Sequence, residues 1–362
     1  MPAGLLGSLI VGAGMFSLPY VFAQAGFVFG IALLAFFSLV AAVIHIKYAS
    51  LVSAGGPDKR FVALSERYLG KKWRLPATVV IVGGIIITLS VYLSLSASFT
   101  RLIVPQITDS AAVFLFWFVG SLFIALGILK YAFLDFLIFI AIAGIIAFIG
   151  VTGYFFGRSG EIFPGGFSIS SGLIAFGPLL FSLSGRSAIS AIWEEHHFRG
   201  GQRANFLRAV VIGTLIPALL YLVFVYGVGK LSSFGVSADA VSGITLLGSS
   251  AGVLIGVLGL AALITSYVFL GFELKGVLEK DFNLPMVAAF SVPAVSPILI
   301  YVFGWQDFFM LVSLAGGFFL AAESLLVVLM YRMATGRKSI LDSILAATFI
   351  IAIVFEIFTV FR

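Results

Sequence analysis

Two short stretches carry the residue types that let a polypeptide backbone itself meet a ligand. One is Gly12-Ala13-Gly14 with Met15 behind it and Leu18-Pro19 just beyond; the other is Ser182-Leu183-Ser184-Gly185, preceded by Phe176 and Phe181. Both sit inside apolar runs, where unwinding a helix frees N–H and C=O groups that only protein, water or a ligand can satisfy. A zwitterion satisfies both kinds at once: half-helix N-termini offer N–H groups to a carboxylate, and half-helix C-termini offer carbonyls to an ammonium or an alkali cation. No charged side chain is needed for either. The plain alternative is that Gly12 and Gly14 are small residues at a tight helix crossing, and that the two Phe side chains are core or lipid-facing like many of the 39 in the chain.

A second group of residues is expensive in an apolar setting. Glu323 lies within FFLAAESLLVVLMYR, where an unpaired carboxylate costs several kcal/mol, so it must be protonated, paired or wetted. As a functional group it would couple to a proton or cap a freed N–H; as a structural one it would pair with Arg186, which directly follows the second break. Arg186 itself reads as a gate cation or a contact to a substrate carboxylate, and its sign disfavours cationic substrates. Glu273 and Glu356 are the other buried carboxylates that could serve a proton route. Thr265 and Ser266 supply adjacent hydroxyls, either for a cation or for the preceding helical turn. Glu194, Glu195, His196, His197 and Arg199 form a mixed cluster without the i,i+4 histidine spacing of a helical metal pair.

The chemistry stops there. No Cys and three His exclude thiolate nucleophiles, disulfides and Cys-based zinc sites. There is no nucleophile, Asp-rich or phosphate-loop motif, so the chain reads as a non-enzyme with no cofactor. A channel or a structural or signalling membrane protein remains the competing class.

The elements that must hold these residues are membrane spans. With 61% hydrophobic residues, 21 Lys+Arg and 15 Asp+Glu in 362, the chain cannot clothe a soluble fold of its length. Apolar windows fall at 4–22, 27–50, 75–100, 111–129, 133–155, 169–191, 204–229, 249–275, 286–303, 307–331 and 340–360, which gives eleven spans. No basic segment precedes the first, so a cleaved signal peptide is not expected. Sixteen basic residues fall on one side, led by Lys59, Arg60, Arg67, Lys71, Lys72 and Arg74, against four on the other, with Arg186 inside a span. Basic retention then puts the N-terminus in the cytoplasm and the C-terminus outside, in a cell (plasma or inner) membrane. The net charge of +6 is a topology signal, with lipid headgroups as the partner and no nucleic acid implied. Phe61 to Trp73 is amphipathic and predicts a short helix along the inner face. Oligomeric state is not encoded in any pattern found.

A shift of 174 residues lays spans two to five on spans seven to ten and the glycine-broken first span on the broken sixth. Five being odd, the second unit enters from the opposite side. The chain is therefore expected to be one transporter domain: a five-helix repeat at 4–155, an inverted copy at 169–331 and an extra helix at 340–360. Inverted repeats with discontinuous helices in matching positions point to a secondary transporter's binding site.

Three blocks resemble a known group. GSLIVGAGMFSLPYVFAQAGF at 7–27 resembles the first helix of the amino acid/auxin permease and aromatic/hydroxy amino acid permease families, within the amino acid-polyamine-organocation superfamily. AFGPLLFSLSGRSAISAIWEEH at 175–196 and LITSYVFLGFELKG at 263–276 look like their sixth and eighth helices. The resemblance implies an all-α integral membrane protein with the LeuT-like five-plus-five fold, helices one and six broken, and cation-coupled uptake of an amino acid, here a neutral one, by alternating access. It implies substrate contacts at Gly12, Ala13, Gly14, Met15, Phe176, Phe181, Ser182, Leu183, Ser184 and Gly185. By likeness to sodium-coupled members it also implies a sodium site at the carbonyls of Ser8, Val11 and Ala262 with Thr265 and Ser266; other relatives use protons. The chain departs from the families in its short N-terminus and in Arg186, which stands where they carry a small, polar or histidine residue.

Overall fold

The computed structural model describes residues 2–54, 60–127, 132–160, 162–163, 166, 168–232, 235–243, 249–337 and 339–360. The regular elements are helices. In order they are α1 (Pro2–Ile10), a 3-10 turn (Ala13–Ser17), α2 (Leu18–Ala25), α3 (Phe27–Ala54), α4 (Phe61–Leu69), α5 (Arg74–Ile103), α6 (Asp109–Leu126), α7 (Ala132–Phe156), α8 (Ile169–Ser182), α9 (Arg186–Phe198), α10 (Arg203–Leu231), α11 (Ser249–Phe282), α12 (Met286–Val302), α13 (Phe308–Leu314), a π-helical segment (Ala315–Leu320), α14 (Ala321–Thr335) and α15 (Ile340–Val360).

Nine helical stretches among the described residues are long and apolar enough to cross a bilayer, and a tenth is added when α1 and the Ala13–Ala25 stretch, bent by 45°, are taken as one broken span. The sequence predicts eleven. The shortfall is at 286–303, where α12 reaches only 17 residues because Pro285 caps its start and the chain turns at Phe303 and Gly304. The amphipathic segment after Arg60 is helical as expected, as α4 followed by a 3-10 turn at Lys71–Trp73. Of the basic residues used to orient the chain, Lys59, Lys130, Lys338 and Arg362 lie outside the described residues.

Local chemistry sets several helix ends. Ser168 and Ser171 cap α8 reciprocally, each hydroxyl accepting the other's backbone N–H, at 3.0 and 3.3 Å. Asp307 accepts the N–H of Met310 at 2.6 Å and starts α13. The long spans are covered on one side by neighbours and carry exposed Leu, Ile, Val and Phe on the other, the surface a bilayer solvates. The central helices pack as two groups: α10 against α1, α3 and α7, and α5 against α11 and α12. The final helix is fastened at its start, where Lys47 of α3 pairs with the buried Asp342 at 2.6 Å and lies 4.1 Å over the Tyr331 ring of α14.

Candidate functional site

The two breaks fall where Gly and Ser interrupt the apolar runs. α1 ends at Ile10, the chain turns through Val11 and Gly12, and a 3-10 turn resumes at Ala13. α8 ends at Ser182 and α9 begins at Arg186, leaving Leu183, Ser184 and Gly185 out of the helix. The breaks touch backbone to backbone. A Cβ on Gly14 would lie 2.5 Å from the Cα of Ser182, so only glycine permits this approach.

Side chains from two other spans hold the freed groups. The Tyr221 hydroxyl of α10 faces the Ile10 carbonyl at 2.8 Å and the Ser182 carbonyl at 2.7 Å, one at the C-terminal end of each half-helix. A hydroxyl has one proton to donate, so the two carbonyls share it. The Gly185 N–H donates to His45 Nε2 of α3 at 3.3 Å. His45 Nδ1 lies 2.9 Å from Thr214 Oγ1, whose own proton goes to the Val210 carbonyl. These partners assign the hydrogen to Nδ1 and leave the ring neutral. Neither Tyr221 nor His45 was among the predicted site residues. A signal existed: they are polar residues in spans two and seven, and the 174-residue shift that relates these spans carries position 45 to within two of position 221.

Between the breaks lies a cavity of about 80 Å³, lined by Gly12, Ala13, Gly14, Phe181 and Ser184, with Thr88 and Tyr92 from α5 and Ser266 and Phe269 from α11. The remaining predicted residues stand outside it. Met15 faces an apolar cavity on the far side of the break, with Phe16, Phe99 and Phe224. Phe176 packs edge-on against Phe37 at 4.8 Å. Ser182 turns its hydroxyl back to the Leu179 carbonyl at 3.0 Å, Leu183 is buried, and Gly185 abuts Ile10 and Leu6. What Ser182 and Gly185 bring to the break is backbone, which the sequence pattern does not separate from side chain.

Arg186 and Glu323 close one end of the cavity. Arg186 Nε donates to Glu323 Oε1, and its Nη2 lies 3.3 Å from Glu273 Oε1. The guanidinium also lies 5.6 Å from the Tyr48 ring centroid and 5.0 Å from that of Phe61. Arg186, Ser187, Phe269 and Glu273 line this cavity and also a larger cleft of about 730 Å³ beyond it, which includes Arg60, Glu194, Lys280 and Asp281. The pairing reading of Glu323 is therefore the one the geometry has. The Glu194–Arg199 cluster is a solvated helix end: Arg199 pairs with Glu195 at 2.8 Å and His197 stacks on Trp193.

At the opposite end of α5 another cleft, of about 340 Å³, is lined by Ser98, Arg101, Asp109, Asp239 and Asp307. Asp239 accepts hydroxyl protons from Ser98 at 2.5 Å and Ser242 at 2.6 Å. Partial burial works against its charge, but the hydroxyls of Ser237, Ser242 and Ser98 outweigh burial and hold its carboxyl below the usual range.

The five residues predicted for a cation converge. Ser8, Val11, Ala262, Thr265 and Ser266 line one small cavity with Leu9, Phe139 and Ile142. Thr265 donates its proton to the Ala262 carbonyl at 3.0 Å and Ser8 to the Leu5 carbonyl at 2.8 Å, so each hydroxyl keeps lone pairs for a hard cation.

Comparison with known proteins agrees with this architecture. The family model described as transmembrane amino acid transporter protein matches residues 3–355. No curated protein matches in sequence. Among solved structures, a manganese transporter of Eremococcus coleocola superposes with TM-score 0.67 at 14% identity, over 99% of this chain and 85% of that one. MhsT in complex with L-phenylalanine superposes with TM-score 0.66 at 15% identity, over 98% and 97% of the two chains. Mhp1, a nucleobase-cation-symport-1 family transporter with bromovinylhydantoin bound, gives TM-score 0.63 at 16% identity over 94% and 79%. At these identities the likeness is one of fold: helical, multi-pass and LeuT-like.

Proposed function

Because the chain belongs to the transmembrane amino acid transporter family, we propose that it is a secondary active, cation-coupled symporter of neutral amino acids that works by alternating access. The observation carrying this reading is the meeting of the two breaks: Gly14 against Ser182, with freed backbone lining one cavity in the middle of the spans. Arg186, the cation lining the cavity, is engaged by Glu323 and Glu273, which counts against selection of an anionic substrate. A cavity of about 80 Å³ is small beside the roughly 300–1,000 Å³ of ordinary ligand pockets, which favours a compact side chain.

In this reading the α-carboxylate is held by N–H groups of the breaks and the ammonium by carbonyl ends, while Phe181 and Phe269 flank the side chain. Arg186 with Glu323 is a gate between the cavity and the larger cleft. Sodium is the coupling ion, held by Ser8, Val11, Ala262, Thr265 and Ser266; the convergence of these oxygens supports it, as does the description of Mhp1 as a cation symport transporter. Residues 4–155 and 169–331 are the inverted repeats and 340–360 an added helix, in a cell membrane with the N-terminus cytoplasmic.

The test is uptake into proteoliposomes, screened across amino acids with sodium and pH gradients imposed separately. Saturable accumulation against a gradient, lost when the sodium gradient is collapsed, is the expected result. Gradient-independent conductance would overturn the reading in favour of a channel.

A further inference from the structure

Glu356 is the one buried carboxylate among the described residues that has neither a cation nor a hydrogen-bond donor on its carboxyl. The other buried or partly buried acids are accounted for: Glu323 and Glu273 by Arg186, Asp342 by Lys47, Asp281 by Arg60, Asp239 by serine hydroxyls. Glu356 lies in α15 at 6% exposure, inside a helix otherwise apolar on both sides of it, FIIAIVFEIFTV. An ionised group in that position has no compensation, so the seated form of the side chain is the neutral acid.

Its seat is specific. A Cβ on Gly317 would lie 2.6 Å from Glu356 Oε2 and 3.2 Å from its Cδ, so the carboxyl rests directly against the Gly317 backbone and would have to shift to admit a side chain there. That backbone belongs to the π-helical segment Ala315–Leu320, whose wide turn departs from the ordinary i→i−4 ladder. The same segment contacts the substrate site on its other side. Gly316 meets the Gly177 carbonyl of α8 with no room for a side chain, and Phe319 covers Gly83 and Gly84 of α5. Gly177 is one turn before Phe181 and Ser182. A continuous backbone contact thus runs from Glu356 through the π-helical segment to the broken span.

We propose that Glu356 is a proton-binding site, formed by its carboxyl and the π-helical segment at Gly317, and that loading this site holds α8 in place. Loss of the proton leaves a carboxylate that must find water, withdraws it from Gly317 and releases the segment pressed against Gly177. The ligand is a hydrogen ion, and the site is separate from the oxygen cluster proposed for sodium. Among the described residues no charged group is paired with Glu356. α8, α13 and the π-helical segment contain no titratable residue, and on α14 they are Glu323, turned to Arg186, and Tyr331 with Arg332. Those two lie 14 and 15 residues past Gly317, which is about 21 Å or more along a helix. On α15 itself Asp342 is 14 residues before Glu356 and paired with Lys47.

The experiment needs no substrate, so its outcome is separable from that of the amino acid reading. The purified full chain in lipid nanodiscs is titrated from acid to alkaline pH while the infrared band of protonated carboxyl groups and the melting temperature are recorded. The wild type is expected to lose a carboxyl band and melting temperature together as pH rises. Glu356→Gln, which keeps the neutral shape, should lack that band at every pH and hold the melting temperature of the acid form. Should the Gln variant not fold, Glu356→Leu and the wild-type titration carry the same test. Gly317→Ala, which pushes on the carboxyl, should move the loss of the band to lower pH. A band that persists in Glu356→Gln, or a variant that melts with the pH dependence of the wild type, overturns the proposal.

Discussion

Arg186 on α9 and Glu323 on α14 form a buried ion pair across the end of the central cavity, 137 residues apart in the chain. Both side chains are about nine-tenths buried, and water is too scarce there to replace a lost partner. Arg186→Ala is therefore expected to destabilise the folded protein by about 3–5 kcal/mol, because two carboxylates are left uncompensated. Replacing the pair together, Arg186→Met with Glu323→Met, should recover part of that stability, since only the more exposed Glu273 is then left without its cation, while abolishing gated uptake. Thermal melting of the single and double variants checks the first statement and uptake the second.

Gly12 and Gly14 separate packing from binding. A Cβ on Gly12 would meet nothing nearer than 4.0 Å, whereas one on Gly14 would strike Ser182. Gly12→Val should fold, with its bulk in the cavity, and lose uptake. Gly14→Ala should lower the melting temperature as well. The reverse pattern would remove the cavity from the substrate path.

Tyr221 satisfies two buried carbonyls with one hydroxyl. Tyr221→Phe keeps the ring and strips both of their donor, for an expected loss of about 1–3 kcal/mol. The measurement is a melting curve, paired with the KM for substrate, which should rise as the breaks lose register.

Thr265 reaches the proposed cation cavity and is absent from the lining of the substrate cavity, whereas Ser266 lines both. Thr265→Ala should raise the sodium concentration for half-maximal uptake about tenfold, the equivalent of losing one oxygen ligand worth roughly 1.4 kcal/mol. Unchanged sodium dependence would remove Thr265 from the ion site.

Asp239 ties the 235–243 loop to α5 through Ser98. Its carboxyl is held below the usual range in the folded protein, so the stabilisation is complete above the unfolded value, near 3.9, and is lost as pH falls through the folded value. Asp239→Asn should thus melt lower than the wild type at neutral pH, and the gap should close only in acid, below about pH 4.

Composition and spacing carried a good deal of this. A chain with so few charges had to lie in a membrane, since no arrangement of it clothes a soluble surface. The breaks at Gly12 and at Ser184-Gly185 were legible because glycine and serine interrupt runs that would otherwise stay helical, and the 174-residue offset paired them. The span at 286–303 was harder to judge: Pro285 and Gly304 shorten it at both ends, and an apolar window does not register helix length.

Sequence by itself therefore determined the class of molecule and the two places where its helices fail, because both follow from local residue chemistry. Tertiary structure decided which atoms the failures serve. His45 and Tyr221 reach the breaks from helices 140 and 39 residues away, measured from Gly185 and Ser182, and Arg186 finds Glu323 and Glu273 only once three helices have packed. Phe176, placed five residues before Phe181, turned away to Phe37, since a helix sends neighbouring side chains to different faces and packing chooses which face meets the cavity.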